Sequence, residues 1–258
     1  MHPEPRYADI GCKQCASGEL LDFDFSMALQ PIVRYSDRSL FAQEALVRGL
    51  GDEPAGSVFA NVTEKNRYRF DQSCRVKAIK LAAELGIPGM LSINFMPNAV
   101  YKAELCIRTT LQAASEFNFP HERIIFEVTE GEQITDRAHL KRIVEHYQQT
   151  GFKTAIDDFG AGYSGLNLLA DMQTDLVKLD MALVRNIDAD RSRQIITRGI
   201  LQVCEDLGIE VIAEGIETRG ELSALVDLGV DLFQGFLFAR PAYEAVADID
   251  PQAFSREV

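Results

Sequence analysis

Thr154-Ala155-Ile156-Asp157-Asp158-Phe159-Gly160-Ala161-Gly162-Tyr163-Ser164-Gly165 runs from an apolar segment through two adjacent carboxylates into a glycine-rich loop. Leu166, Leu168, Leu169 and Met172 follow at helical spacing, so the stretch reads as a strand handing over through a loop to a helix. Two neighbouring aspartates at a strand end repel one another and cost desolvation, which a fold tolerates where a cation compensates them. A pair of divalent metal ions meets that need. So does the plainer alternative, an Asx turn capping the next helix with both side chains in water.

Outward from this stretch the chain is rhythmic. Strand-like apolar runs occur at Met90 to Phe95, Ile124 to Val128, Lys153 to Ile156, Leu176 to Leu179, Glu210 to Ala213 and Leu232 to Phe238. Helical patterns occupy Val58 to Leu85, Ala138 to Gln149, Arg193 to Leu207 and Arg219 to Leu228, with Gly86, Gly151, Gly208 and Gly229 as stop signals. Upstream, Phe25 to Tyr35 and Leu40 to Arg48 read as two strands joined by Ser36-Asp37-Arg38-Ser39, a connection short enough for an antiparallel hairpin. Alternating strands and helices mean a parallel sheet, and this many units favour closure into an α/β barrel over two doubly wound halves. No Pro/Gly/Ser-rich tract divides the chain, and no repeat period is visible, so one domain is expected.

Each apolar run ends on a polar residue: Glu44, Asn94, Glu127, Asp157 with Asp158, Lys178, Glu214 and Gln234, spaced by about one βα unit after the first step. In a parallel barrel every strand ends on the same rim, which gathers these residues around one mouth. Hard oxygen ligands suit Mg²⁺, Mn²⁺ or Ca²⁺ better than zinc or copper. His2, His121, His139 and His146 fall off the strand ends and no HExxH occurs, which argues against a zinc peptidase. Adjacent aspartates flanked by further ligands suit a two-metal centre about 3.5 to 4 Å across, which clamps the attacking and leaving oxygens of a phosphoryl group. Lys178 then orients or helps deprotonate the attacking water, or neutralises developing charge; a buried salt bridge is the alternative. For Asn94 and Gln234 a structural hydrogen bond stands beside the ligand role. Arg48 emerges just beyond the strand of Glu44, placed for a bidentate phosphate contact or for a solvent-facing salt bridge.

The bulk properties agree. The chain has 258 residues, 47% hydrophobic and 25% charged, which suffices for a sizeable core. A net charge of -13 argues against a broad basic surface tracking a nucleic acid polymer, but not against an anionic ligand, because bound divalent cations invert the field of an acidic pocket. No run approaches the roughly 18 apolar residues of a membrane span. Residues 1–24 lack the hydrophobic core of a signal peptide and are read as a tail preceding a domain at 25–258, and a cytoplasmic location is expected. The odd count of five cysteines (Cys12, Cys15, Cys74, Cys106, Cys204) points to a reducing compartment. Cys12 and Cys15 have CxxC spacing, but no second pair completes a zinc set, so they are assigned to a mobile tail or a linker. Numbering from Met1 suggests a stand-alone protein.

Glu44-Ala45-Leu46-Val47-Arg48 resembles the signature of the EAL domains, phosphodiesterases specific for cyclic di-GMP. Similar blocks follow in the family's order: Leu29-Gln30-Pro31-Ile32, Ser92-Ile93-Asn94, Glu127-Val128-Thr129-Glu130, Asp157 to Ser164, Val177-Lys178-Leu179-Asp180, Ala213 to Glu217, and Gln234-Gly235 leading to Arg240-Pro241. The resemblance implies a modified TIM (β/α)8 barrel with an antiparallel first barrel strand. It implies hydrolysis of cyclic di-GMP to linear pGpG with Mg²⁺ or Mn²⁺. It also implies Glu44, Asn94, Glu127 and Asp157 as ligands of one ion, and Asp157 and Asp158 as ligands of the other, with Glu214 binding directly or through water. Lys178 resembles the water-positioning lysine, and Gln234 the residue supporting the water and metal shell. Gln30, Leu46 and Arg48 resemble substrate contacts, and Glu130 the brace of the loop after Asp158. A homodimer is the family expectation; nothing in the sequence names a regulatory partner. The competing expectation is a catalytically silent cyclic di-GMP receptor or partner-binding module, and a more remote one is another metal-assisted barrel enzyme.

Overall fold

A computed structural model describes residues 20–100, 102–129, 136–162 and 165–255. Cys12, Cys15, Glu130, Tyr163 and Ser164 lie outside these described residues, as does most of the expected tail.

The chain begins with the expected hairpin. Strands β1 (Ser26–Arg34) and β2 (Ser39–Arg48) pair antiparallel, with Gln30 opposite Glu44. Their turn uses a left-handed residue, Arg38, at φ 56°. From β2 onward β3 (Met90–Asn94), β4 (Ile124–Thr129), β5 (Lys153–Phe159), β6 (Leu176–Leu179), β7 (Glu210–Ala213) and β8 (Leu232–Gln234) add in sequence, each parallel to the last. β1 then closes the ring by pairing antiparallel with β8 as well as β2, and a two-residue β9 (Ala242–Tyr243) adds to β1 at Ala28 and Leu29. The result is the expected modified TIM barrel, its first strand inverted.

Helices occupy the crossovers: α1 (Ala55–Phe59), α2 (Arg67–Glu84), α3 (Ala103–Glu116), α4 (Arg137–Gln149), α5 (Gly165–Asp171), α6 (Met181–Val184), α7 (Arg191–Leu207) and α8 (Arg219–Asp227). Local sequence sets their ends. Asp190 accepts hydrogen bonds from the first N–H groups of α7, Gly208 ends it in the left-handed region at φ 71°, and Thr218 with Glu221 forms a capping box on α8. Among the described residues no helix is long and apolar enough to cross a membrane.

Three expectations need correction. The single helix over Val58 to Leu85 is two helices, because the Asn66 side chain accepts from Thr63 N at 2.7 Å and donates to Asn61 O at 3.0 Å, which favours a turn over a continuous helix. The strand from Leu232 to Phe238 stops at Gln234, because Gly235 passes against the backbone of Ile216 and the chain turns there. The strand from Lys153, expected to end at Ile156, runs on to Phe159.

Strand pleating divides the side chains into two sets. Phe126, Ile156, Val177, Ala213 and Phe233 face outward into the large core shared with the helices. Ile32, Ala42, Ile125, Ala155, Leu176, Ile212 and Leu232 face inward and form an apolar plug, joined by Met90. Two residues further toward the rim, on the same inner face, stand Gln30, Glu44, Ser92 with Asn94 beyond it, Glu127, Asp157, Lys178, Glu214 and Gln234. A polar layer therefore sits on an apolar one, with every barrel strand contributing.

Candidate metal centre

Lys178 is the centre of the polar layer. Only 1% exposed, its Nζ lies 2.6 Å from Glu214 Oε1, 2.8 Å from Glu127 Oε2, 3.1 Å from Asp157 Oδ1 and 3.2 Å from Glu44 Oε2. The carboxylates are themselves held. Asn94 Nδ2 donates to Glu44 Oε1 at 2.9 Å, and Gln234 Nε2 donates to Glu44 Oε2 at 2.7 Å and to Gln30 Oε1 at 3.3 Å. Ser92 Oγ donates to Glu127.

A bulge delivers the two aspartates. β5 and β6 pair regularly at Ile156 with Val177 and again at Phe159 with Leu179, so Asp157 and Asp158 together stand against Lys178 alone. Asp158 absorbs the extra residue in the left-handed region, at φ 55°, a conformation aspartate tolerates better than most side chains. The bulge is why strand and carboxylates coexist. Asp157 spends one oxygen on the N–H of Asp158, at 2.9 Å, and turns the pair toward the barrel mouth, where Lys178 reaches Asp157.

The electrostatics show what such a layer requires. Burial raises the Glu127 carboxyl, repulsion from Glu44 and Asp157 adds to it, and Lys178 opposes them, for a net value of about 8. Burial and then Asp157 push Asp158 up to about 6. Burial also drives Glu214 well above the carboxylate range despite Lys178. Glu44 falls below its ordinary value, because Lys178, Gln234 and Asn94 together outweigh the burial that would raise it. Burial works to lower Lys178, but Asp157, Glu127, Glu214 and Glu44 carry it well above the usual lysine value, so its ammonium is retained.

Five carboxylates against one ammonium leave four negative charges when all are ionised, the charge that two divalent cations neutralise. The donor geometry fits that count. Glu44, Glu127 and Asp157 each offer an oxygen within 4.8 Å of the others, as do Asp157, Asp158 and Glu214, and the two triads share Asp157. An all-oxygen set with one shared carboxylate suits hard divalent ions.

Of the other expected residues, Gln30 lies in the polar layer, accepting from Gln234 and donating to Ala239 O at 3.4 Å. Leu46 is half-buried on β2, opposite Ala28 and on the inner face with Glu44. Arg48 stands apart from the carboxylates. Its Nε lies 3.7 Å from Asp52 Oδ1 and its Nη1 donates to Val47 O, the local pairing that was the alternative to a phosphate contact. Ser92 is the residue that sequence reasoning passed over. Its signal was its place two residues before Asn94, where the strand period returns it to the same face.

A family model for the EAL domain matches residues 17–241. Among solved structures, the chain is similar to a standalone versatile EAL protein from Vibrio cholerae O395 in its c-di-GMP bound form, at a TM-score of 0.89 and 56% identity over 92% of this chain and 100% of that one. It is also similar to Klebsiella pneumoniae BlrP1 in a manganese/cy-diGMP complex, at a TM-score of 0.83 and 36% identity over 90% of this chain and 60% of that one. Among curated proteins it is 35% identical over 167 residues to the cyclic di-GMP phosphodiesterase PdeR of Escherichia coli K12, covering 64% of this chain and 25% of that protein. The chain spans 60% or less of the length of the curated relatives it matches first. With an inverted-strand barrel, a polar layer drawn from every barrel strand and a family match over most of its length, this chain belongs to the EAL domain family.

Proposed function

We propose that this chain is a metal-dependent phosphodiesterase that hydrolyses cyclic di-GMP to linear pGpG. The observation that carries the reading is the pair of carboxylate triads sharing Asp157, built around a buried, charged Lys178. The cyclic di-GMP complexes and the cyclic di-GMP phosphodiesterase among the similar proteins support the substrate, and the manganese complex of one supports the metal.

Glu44, Asn94, Glu127 and Asp157 would hold one Mg²⁺ or Mn²⁺ ion, and Asp157, Asp158 and Glu214 the second. Bound there, the ions supply positive charge for the phosphoryl oxygens and lower the pKa of the attacking water. The chain's own residues provide position. Lys178, kept protonated by its four carboxylates, acts as a hydrogen-bond donor and counter-charge for the water and for charge developing on phosphorus. Gln234 commits its Nε2 to Glu44 and Gln30, while its buried Oε1 has no partner among the described residues, leaving an acceptor for a water proton. The new bond joins the water oxygen to phosphorus, the bond from phosphorus to the ribose 3′-oxygen breaks, and the proton that the water gives up is balanced by the one that the departing 3′-oxygen takes up. Gln30, Leu46 and Arg48 line the approach for the nucleotide, with Arg48 exchanging Asp52 for a phosphate. Glu130 is assigned to bracing the loop after Asp158. Residues 25–258 form the catalytic domain in this reading, and the active species is a cytoplasmic homodimer.

Incubating the purified chain with cyclic di-GMP and Mn²⁺, and separating the products by chromatography, tests the reading. Formation of pGpG that EDTA abolishes is expected, as is its loss in folded Glu44→Ala and Lys178→Ala proteins. Tight nucleotide binding without product would instead establish the silent receptor.

A further inference from the structure

The sequence pattern assigned no role to Arg75, and the chemistry above does not use it. It is nevertheless among the largest side chains that are fully buried, on α2, the helix packed outside β3. A guanidinium is not taken out of water without strong compensation. Its Nη2 lies 2.7 Å from Asp71 Oδ2 one turn earlier, and its Nη1 donates to the Tyr147 hydroxyl at 3.0 Å. Its Cζ lies 4.9 Å from the ring centroid of Phe126, 5.6 Å from that of Phe95 and 5.8 Å from that of Tyr147.

The identity of those rings matters. Phe126 immediately precedes Glu127 and Phe95 immediately follows Asn94, so each points outward where its neighbour points into the metal centre. The rings meet edge to face at 5.8 Å, and Phe95 N donates to the carbonyl of Glu127 itself at 3.0 Å. Asp71, besides pairing with Arg75, accepts from Met96 N at 3.0 Å through its other oxygen. One ion pair on α2 therefore grips the backbone just past Asn94 and the outward neighbours of both Asn94 and Glu127.

We infer that the Asp71–Arg75 pair is a positioning device for the first metal ion, setting the separation of Asn94 and Glu127 from outside the barrel through Phe95 and Phe126. The inference rests on the metal-centre reading above. Outer partners that orient ligands in this way are typically worth 10- to 100-fold in metal affinity.

The test is direct Mn²⁺ binding to the full chain without nucleotide, following free Mn²⁺ by electron paramagnetic resonance, with melting temperatures measured alongside. Arg75→Met is expected to weaken Mn²⁺ binding about tenfold or more. Arg75→Lys keeps the charge opposite Asp71 but not the planar stack, and is expected to recover part of the loss. Tyr147→Phe removes one hydrogen bond at nearly constant volume and is expected to cost about threefold. If Arg75→Met does not fold, the other two variants decide. Mn²⁺ affinities within about twofold of the parent in the folded variants, whatever their melting temperatures, overturn the positioning role and leave a core ion pair. A parent chain that binds no Mn²⁺ overturns the metal reading itself and the inference with it.

Discussion

Replacing Lys178 by methionine removes the ammonium that sits among four carboxylates, at 2.6 to 3.2 Å from each. Breaking a buried ion pair by deleting one partner costs about 3–5 kcal/mol, because the remaining charge stays buried. Against a domain stability of roughly 5–15 kcal/mol the variant folds, with a reduced margin. In EDTA the Lys178→Met protein is thus expected to unfold in urea about 3–5 kcal/mol more easily than the parent at pH 7.5. Mn²⁺ should narrow that gap. Ligand at a hundred times its dissociation constant stabilises by about 2.7 kcal/mol, and the variant's carboxylates, no longer shared with an ammonium, gain more from the ion than the parent's do. Turnover should be absent throughout. Urea titrations of both proteins, with EDTA and with Mn²⁺, read all these quantities. A gap in EDTA below about 1 kcal/mol, of the size expected for an exposed pair, would show that Lys178 does not hold the carboxylates together. A gap indifferent to Mn²⁺ would show that they are not metal ligands.

Three further outcomes follow from the same geometry. In EDTA the parent should lose stability as pH rises: the Glu127 carboxyl is held near 8 when folded against 4.5 ordinarily, so its contribution is full below about pH 4.5 and gone above about pH 8, with a ceiling of about 5 kcal/mol, and urea midpoints that rise with pH over that window would contradict it. Asp158→Asn preserves a side chain suited to φ 55°, so stability in EDTA should stay within about 0.5 kcal/mol of the parent or improve, while turnover falls on the order of hundredfold; near-parental rates would remove Asp158 from the ligand set. Gly235→Ala places a Cβ into the backbone of Ile216, which must move, so the melting temperature and turnover should fall together, and an unchanged crystal structure of an active variant would refute the close packing.

The barrel was legible because its strands obey a period of two. Glu44, Glu127, Lys178, Glu214 and Gln234 each stand two residues beyond an inward apolar residue, so locating the end of an apolar run also located the mouth. Less visible were features that depend on backbone choices with weak sequence signals. The two aspartates suggested a strand end at Ile156, whereas a left-handed Asp158 lets β5 continue to Phe159 and project both. Asn66 interrupts an otherwise helical apolar pattern through side-chain bonds that a periodicity count cannot register. Arg48 ends β2, and its partner Asp52 is a local neighbour that only geometry could pick out. Arg75 escaped notice because a charged residue in a mostly polar helix reads as solvated until three aromatic rings are found around it.

The inverted β1 has a consequence for how the molecule is wired. In an all-parallel barrel the polypeptide enters at the rim opposite the chemistry, and a signal arriving along it must cross the sheet to be felt. Here Ser26, at the start of β1, pairs with Arg48 at the far end of β2, so the chain comes in at the mouth. Leu21 and Phe23, just upstream, pack against the same core that holds α2, and Asp24 pairs with Lys77 on that helix at 2.7 Å. The segment just before β1 therefore lies at the rim of the carboxylate layer and against the helix that carries Arg75, so the entry to the barrel and the flank of its site are one place.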